Sequence, residues 1–374
     1  MDNPRTHATS SSTDRPRPRA ALESLEPYTS AFASEQPPLY RSSSNESPWG
    51  PSERVLAAVA EAIAQGNRYP TLHADDLVDA LAVHVGLTPE QIAVGDGSLS
   101  LLTYVLLAYT NHGDEVIYSW RSYEAYPITI AAVGGAARPI ANTHDGRHHL
   151  DHMAAAITDR TSAIIVCSPN NPTGAAVTHA EIVRFLHEVP PHVVLVIDQA
   201  YADFASSHAD ADPIRSSELL EHYPNVVILH TFSKSYGLAG FRVGYMLGAA
   251  ALTEKVKAIQ PPFPVSRPAI AAALAALADQ NARHRTIDAV MAQRAAVTEL
   301  ITAAGLPVIE SQANFLWLPL AEHSDAFARE CSQARIAVRC FSGEGVRISL
   351  GEPGLPDALR QVLEAYSAQG LASK

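Results

Sequence analysis

The sequence predicts an α/β fold with a mainly parallel central sheet in a large domain, followed by a smaller α+β domain. The first observation is that, from about Arg54, helical patterns alternate with short apolar runs. Over such a length this alternation indicates parallel strands linked by helices. The second observation is a change after residue 260, where a long Ala-rich stretch precedes isolated apolar runs. Ligands of parallel sheets bind at the carboxyl ends of the strands, so functional residues are expected there.

The large domain contains four clear strand patterns, each apolar and flanked by turn residues or a helical stretch. We predict strands at residues 115–119, 162–167, 193–197 and 226–230. A helix is predicted at 99–109, immediately after the sequence GDGS. Parallel pairing would place the polar residues that follow these strands on one edge of the sheet.

The smaller domain is predicted from weaker signals. The Ala-rich stretch 269–304 is helical in pattern and stops at Gly305, a residue type that commonly ends helices. Strands are predicted at 315–319 and 346–350, with a helix near 325–334 between them. We therefore divide the chain into a disordered tail (1–20), an N-terminal arm associated with the small domain (21–50), a large domain (51–260) and a small domain (261–374).

Composition and charge narrow the classes of function. Hydrophobic residues make up 47% of the 374 and charged residues 18%, a balance typical of a globular enzyme. The formal net charge of −12 disfavours nucleic acid and anionic membranes as partners. The apolar runs are shorter than the roughly 20 residues of a membrane helix, and the polar first residues do not resemble a secretory signal. Three cysteines without a CxxC pair favour the cytoplasm, and we expect no bound metal.

Four polar segments lie at predicted strand ends or at a helix start. They are GDGS at 95–98, SPNNPTG at 168–174, DQAY at 198–201 and TFSK at 231–234. Taken singly, each has an ordinary explanation, such as a turn, a helix cap or a surface lysine. Their order along the chain and their shared edge of the sheet indicate a single binding crevice.

The residue types in this crevice suit an imine-forming enzyme. Lys234 follows a strand and lies next to hydroxyl groups, and a lowered pKa, which the nearby cation Arg242 would favour, would make it a neutral nucleophile. Asp198 ends a run of five apolar residues, where a buried carboxylate is costly unless it is paired with a cation. A protonated pyridine nitrogen is such a cation.

The same edge of the sheet offers groups that bind phosphate. Gly97 and Ser98 begin a helix, where backbone N–H groups and the helix dipole attract an anion. Thr231 and Ser233 add hydroxyl groups, and Arg242 adds a guanidinium that can bind phosphate in a bidentate manner. Gly95 and Gly97 also fit the start of a dinucleotide-binding G-x-G-x-x-G turn, but Ser100 occupies its third glycine position, which rejects a dehydrogenase.

From about Leu25 to its last helix the chain resembles fold-type I aminotransferases, within them the branch of histidinol-phosphate and aromatic aminotransferases. The resemblance rests on SPNNPTG, on the aspartate and tyrosine of DQAY, and on TFSKSYGLAGFRVG, which occur in the family's order at similar spacing. It implies the fold type I of pyridoxal 5'-phosphate (PLP)-dependent transferases, PLP as cofactor and a homodimer.

The resemblance also implies roles for the cofactor-binding residues. Lys234 would form the imine with PLP and shuttle the proton, Asp198 would pair with the pyridine nitrogen, and Tyr123 would stack on the ring. Asn171 and Tyr201 would hydrogen-bond to the ring oxygen. The phosphate would be held by Gly97, Ser98, Leu99, Thr231, Ser233 and Arg242, and by Tyr69 of the neighbouring subunit.

On the substrate side, the resemblance implies that Arg347 in GVRISLG binds the carboxylate, with Arg339 as a second candidate. Tyr28 and Asn45 match the arm that lies over the active site. Four positions depart from the family pattern: Leu99-Ser100 replaces Asp-Glu, Gln199 replaces Glu, and Arg121 replaces Pro. None of these changes removes a group that the chemistry needs.

The expected reaction is a ping-pong transamination between an aromatic amino acid and 2-oxoglutarate. The stretches WRSYEAYP and FSGEGVRISLGEP favour the aromatic branch. Histidinol phosphate is the alternative substrate, because a guanidinium binds carboxylate and phosphate in similar ways. A related amino acid of a specialised pathway, or decarboxylation on the same scaffold, stays open. A non-catalytic PLP-binding regulator is disfavoured, because no helix-turn-helix segment is evident and the charge is acidic.

Overall fold

A computed structural model describes residues 37–205 and 212–368, together with Pro16, Arg19 and Leu25. Most of the predicted tail and the first part of the predicted arm, including Tyr28, lie outside the described residues. The strands of the described part are β1 (Tyr40–Ser42), β2 (Ile92–Gly95), β3 (Glu115–Trp120), β4 (Ala136–Ala141), β5 (Thr161–Cys167), β6 (Val194–Asp198), β7 (Val226–Thr231), β8 (Gly244–Gly248), β9 (Phe315–Leu318), β10 (Ile336–Phe341) and β11 (Gly345–Ser349).

The helices of the same part begin with those of the first 260 residues: α1 (Glu53–Ala64), α2 (Asp75–Val85), α3 (Ser98–Tyr109), α4 (Ala125–Val133), α5 (Leu150–Ala155), α6 (His179–Glu188), α7 (Ser216–His222) and α8 (Ala250–Ile259). They continue with α9 (Arg267–Leu277), α10 (Gln280–Ala303), α11 (Ser324–Gln333) and α12 (Leu355–Ala368). In the described residues no helix is both long enough and apolar enough to cross a membrane.

The larger sheet has seven strands in the order β2-β8-β7-β6-β5-β3-β4. Strands β4, β3, β5, β6 and β7 pair in parallel, whereas β8 is antiparallel to both β7 and β2. This topology confirms the predicted α/β class with a mainly parallel sheet. The four predicted strands are present as β3, β5, β6 and β7, each within one residue of the expected bounds.

Both faces of the larger sheet are buried, because alternate residues of its central strands face two separate apolar clusters. In β5, Ile164 and Val166 join one cluster, and Ala163 and Ile165 join the other. Helices cover both faces, with α1, α2, α6 and α9 on the first and α3, α4 and α8 on the second. Burial on both sides explains why these strands are continuous apolar runs in the sequence.

The smaller sheet has the order β1-β10-β11-β9. It packs against α10, α11 and α12 around a separate apolar cluster that includes Val297, Phe327 and Tyr366. Strand β1 pairs in parallel with β10, so the described part of the N-terminal arm is attached to this second core.

The stretch 269–304, predicted to be helical, contains two helices. It is divided into α9 and α10 at Asp279, whose carboxylate accepts a hydrogen bond from the Ala282 amide (3.2 Å) and so begins a new helix. Helix α9 packs on the first core, and α10 contributes Val290, Val297 and Ile301 to the second. The change from one core to the other therefore occurs between these two helices, beyond the residue 260 at which we place the predicted boundary.

Candidate active site

A cavity of about 330 Å³ lies where β5, β6 and β7 end. The parallel register places Cys167 beside Asp198 and Asp198 beside Leu229, so the segments that follow these strands meet at one edge. The cavity is lined by most of the residues that the sequence indicated: Asn45, Ser98, Leu99, Tyr123, Asn171, Asp198, Tyr201, Thr231, Ser233, Lys234, Arg242 and Arg347. Parallel pairing of separate segments therefore produces a single polar crevice.

Lys234 extends into this cavity from the turn after β7. Its Nζ donates hydrogen bonds to the backbone oxygens of Ser44 (3.3 Å) and Asn45 (3.0 Å). Burial lowers its pKa to about 7, and the nearby guanidinium groups of Arg347 and Arg242 act in the same direction. About half of the amine is therefore neutral at pH 7, and the neutral form is the one that acts as a nucleophile and proton acceptor.

Asp198 is the last residue of β6 and is almost fully buried. Its carboxylate accepts hydrogen bonds from the Tyr126 hydroxyl (2.8 Å) and from the Ala200 amide (3.1 Å). Burial raises its pKa, although both hydrogen bonds oppose this shift. A carboxylate in such a place favours a cationic partner in the cavity. Tyr126 was not identified from the sequence, although it is the second tyrosine of the RSYEAY segment.

One end of the cavity is shaped to receive an anion. Gly97 precedes α3 with a φ of 105°, and a Cβ there would come within 2.5 Å of Arg242 Nη2. The absence of a side chain thus allows the guanidinium to lie against the helix start, which attracts anions. The Thr231 and Ser233 hydroxyl groups lie 2.9 Å apart, and Arg242 Nη1 is 3.5 Å from Ser233 Oγ. Backbone amides, hydroxyls and a cation therefore converge at this end.

The other end of the cavity contains Arg347, which lies on β11 of the smaller sheet. Its guanidinium donates to the Asn171 side-chain oxygen and to the Ser43 backbone oxygen, and it lies 5.5 Å from the centre of the Phe315 ring. Arg347 is buried, so these contacts fix its orientation. A fixed guanidinium at this end is suited to binding a carboxylate in a bidentate manner.

Asn45 connects the arm to both sides of the cavity. It has a φ of 54°, and its side-chain nitrogen donates to the Tyr201 hydroxyl (3.0 Å). Its side-chain oxygen accepts from Ser349 Oγ (2.7 Å), which in turn accepts from the Asn45 amide (2.8 Å). The Asn314 side chain also donates to the Asn45 backbone oxygen (3.2 Å). No sequence signal pointed to Ser349 or Asn314, because their role depends on contact with the arm.

Among the described residues, Gly97, Tyr69 and Arg339 are predicted site residues that do not line this cavity, although Gly97 lies directly beside Arg242. Tyr69 is 77% exposed and stacks on Phe263, with the ring centres 4.6 Å apart. Arg339 is buried in an ion pair with Glu124, with N–O distances of 2.7 and 2.9 Å. Tyr28 lies outside the described residues.

This fold and this arrangement of side chains define a PLP-dependent transferase of fold type I. The chain belongs to the aminotransferase class I and II family, whose profile matches residues 41–364, and it is a transaminase acting on amino acids and oxo acids.

Proteins of known sequence and structure support this assignment. An aromatic amino acid aminotransferase from Rhodococcus jostii (strain RHA1) is 43% identical, over 96% of this chain and 98% of that protein. One from Streptomyces coelicolor is 41% identical, over 94% and 98%. The crystal structure of histidinol-phosphate aminotransferase from Sinorhizobium meliloti, in complex with pyridoxal-5'-phosphate, has a TM-score of 0.85, 28% identity, and covers 95% of this chain and 100% of that one.

PLP is the cofactor, and the residues of the cavity fit it. The anion-binding end at Gly97 matches a phosphate group, since a Cβ at this position would fill the space beside Arg242. The buried Asp198 matches a protonated ring nitrogen, and the lowered pKa of Lys234 matches an imine-forming amine. The cavity therefore offers a complementary group to each part of the cofactor: the Gly97 end to the phosphate, Asp198 to the ring nitrogen and Lys234 to the imine.

Proposed function

We propose that this protein transfers the amino group between an aromatic amino acid and 2-oxoglutarate by a ping-pong mechanism. The observation that carries this proposal is the similarity, over nearly the full length of both chains, to relatives named aromatic amino acid aminotransferase. The 43% identity to the Rhodococcus jostii protein exceeds the 28% identity to the histidinol-phosphate aminotransferase of known structure.

In this proposal Lys234 moves the proton. Its amine, with a pKa of about 7, would accept the proton from the substrate carbon and deliver it to the cofactor carbon that is bonded to the same nitrogen. Asp198 keeps a proton on the ring nitrogen, because a buried carboxylate favours a cation beside it. When bound, PLP supplies the electron sink that stabilises the carbanion. Lys234 thus acts on the proton of the substrate carbon, and Asp198 acts on the ring nitrogen that stabilises the resulting negative charge.

The remaining cavity residues would bind and orient the cofactor and the substrate. Tyr123 would stack on the cofactor ring. The Asn171 side-chain oxygen accepts a hydrogen bond from Arg347, so the Asn171 amide nitrogen, together with the Tyr201 hydroxyl, would be available to the ring oxygen. Arg347 would bind the substrate carboxylate, and Asn45 would cover the site from the arm. The cofactor phosphate would be held by Gly97, Ser98, Leu99, Thr231, Ser233 and Arg242.

We further propose a cytoplasmic homodimer in which Tyr69 reaches the phosphate of the neighbouring subunit. Tyr69 is 77% exposed, and three apolar side chains near it in the sequence, Leu56, Ile63 and Leu72, are exposed as well. Such side chains are better accommodated in an interface than in water.

The three cysteines are all free, which supports a reducing compartment. The division of the chain into a tail, an arm and two domains, which we predict from the sequence, is also part of this proposal.

Histidinol phosphate is the second candidate substrate, favoured by the structural similarity to the Sinorhizobium meliloti enzyme. The test is an absorbance spectrum of the PLP-loaded protein without an acceptor, recorded before and after addition of phenylalanine. A fresh sample receives histidinol phosphate. Bleaching of the yellow band by phenylalanine supports the aromatic assignment, whereas bleaching by histidinol phosphate alone overturns it.

A further inference from the structure

Two ion pairs join the segment before α4 to the hairpin formed by β10 and β11. Glu124 accepts both hydrogen bonds from Arg339, at 2.7 and 2.9 Å. Arg121 donates to both carboxylate oxygens of Glu344. The two guanidinium groups lie 5.2 Å (Arg121) and 5.3 Å (Arg339) from the centre of the Phe341 ring. Each segment thus contributes one acid and one arginine.

Arg339 is also the neighbour of Arg347, the residue proposed to bind carboxylate. The two are directly opposite each other in the antiparallel pairing of β10 with β11, so their side chains leave the same face of the sheet. Both are buried, with 6% of the residue exposed in each case. Glu124 follows Tyr123, which lines the cavity. The Arg347 end of the cavity therefore has a second guanidinium group and one carboxylate next to the residues that line it.

The charges of the two candidate substrates differ at this end. An amino acid presents a carboxylate with a charge of −1. Histidinol phosphate carries a phosphate ester in place of that carboxylate, with a charge of about −1.5 to −2 near pH 7. Arg347, Arg339 and Glu124 together have a net charge of +1. Without Glu124 the net charge would be +2, which matches the phosphate better than the carboxylate.

We propose that Glu124 determines which anion the site accepts: by pairing with Arg339, it favours a carboxylate over a phosphate ester. This inference rests on the proposed function, because it concerns the substrate of the same cavity. Glu124 is a specificity residue in this view, whereas Arg347 makes the contact with the substrate.

The test compares Glu124→Gln with the wild-type holoenzyme. The substitution keeps the shape of the side chain and removes its charge. We expect the ratio of kcat/KM for histidinol phosphate to kcat/KM for phenylalanine to rise about tenfold or more, the effect of one charge-assisted hydrogen bond. Isothermal titration calorimetry with inorganic phosphate provides a second readout, in which the variant holoenzyme binds phosphate at least several-fold more tightly.

Three further variants separate a local effect from a general one. Glu344→Gln removes the same charge from the neighbouring ion pair and should leave the ratio within about twofold of the wild-type value. The double variant Glu124→Gln/Arg339→Gln removes both charges and should return the ratio to the wild-type value. Glu124→Asp keeps the charge but has a shorter side chain, which moves the carboxylate away from Arg339 and neutralises it less; the ratio should change in the same direction as for Glu124→Gln, but less. If Glu124→Gln does not fold, Glu124→Asp still tests the inference.

Equal changes in Glu124→Gln and Glu344→Gln, or no change in the ratio for either Glu124 variant, would overturn the inference. Failure of the proposed function is recognised separately, because it appears in the wild-type protein as a preference for histidinol phosphate. A wild-type preference for phenylalanine that Glu124→Gln does not alter would reject the role of Glu124 alone.

Discussion

The two ends of the active-site cavity are built in different ways. The phosphate end uses chain segments next to the larger sheet: the turn before α3 and the loop from Thr231 to Arg242. The Arg347 end combines the arm near Asn45, the loop after β5 and a strand of the smaller sheet. One end is therefore held by a single core, and the other depends on contacts between two cores.

This difference implies different consequences of mutation. The phosphate end and Lys234 meet the cofactor, which every substrate shares, so a change there should affect all reactions equally. The Arg347 end meets the part of the substrate that varies between amino acids and phosphate esters. A change there should alter the choice of substrate while the cofactor stays bound. The following predictions test this separation, in order of decreasing effect.

The largest effect is expected for Lys234→Ala. Without the amine the protein loses both its imine-forming group and its proton carrier, and general acid–base catalysis alone accounts for about 10²- to 10⁴-fold in rate. We expect kcat to fall by about 10³-fold or more with every amino donor. Steady-state rates with phenylalanine and histidinol phosphate, together with the absorbance spectrum, measure this.

The control for Lys234→Ala is Lys255→Ala, which removes an exposed lysine paired with Glu254. It should leave rate and spectrum unchanged. A Lys234→Ala protein that retains more than a tenth of the wild-type rate would reject Lys234 as the catalytic amine.

A smaller and more selective effect is expected for Arg347→Lys. Lysine keeps the charge but cannot donate two parallel hydrogen bonds to a carboxylate, and it would also lose the contacts with Asn171 and Ser43. We expect kcat/KM for phenylalanine to fall about 10²-fold, mainly through KM, with the cofactor spectrum unchanged. Arg41→Lys, at a largely exposed arginine, is the matched control. Loss of the cofactor band in Arg347→Lys would contradict the separation of the two ends.

The cofactor end was largely predictable from the sequence because its residues immediately follow buried strands. An apolar run that ends in Asp198 or precedes Thr231 reveals both the strand and the residue at its carboxyl end. Short or exposed strands gave no such signal. Strand β4 forms an edge of the sheet with mostly exposed side chains and contains Pro139, and β2 and β8 each end in glycine.

The other end was less predictable because its geometry arises from contacts between distant segments. Arg347 was identified through a family motif, but its position beside Asn171 depends on how the smaller sheet packs against the larger one. The pairing of Arg339 with Glu124 joins residues far apart in the chain, and periodicity gives no information about such a contact. The same is true of the hydrogen bond from Tyr126 to Asp198.

Gly97→Ala tests the phosphate end without removing any functional group. The added Cβ would meet Arg242 Nη2 at 2.5 Å, and the φ of 105° is unfavourable for alanine. We expect the dissociation constant of PLP to rise about tenfold, which corresponds to about 1.4 kcal/mol. Relative substrate preference should stay as in the wild type. Gly50→Ala, where a Cβ meets nothing within 4 Å, should leave the affinity unchanged. Equal affinity in both variants would contradict this account of the phosphate end.

The smallest effect is a dependence of apoprotein stability on pH that arises from Lys234. The pKa of its amine is about 7 in the folded protein, compared with about 10.5 for an ordinary lysine. Between these values the unfolded chain binds a proton that the folded chain does not, so the free energy of unfolding rises with pH. The cost of burying the amine is fully present below pH 7 and is relieved as the pH increases towards 10.5.

Urea unfolding of the apoprotein at about pH 7 and about pH 8 measures this contribution. The wild type should gain about 1 kcal/mol more than Lys234→Met over this interval, because methionine has no proton to release. The exposed Lys255, replaced by methionine, should reproduce the wild-type dependence. Identical pH dependence in the wild type and Lys234→Met would mean that the amine keeps an ordinary pKa in the folded apoprotein. Its readiness to react would then have to come from the bound cofactor instead of the buried cavity.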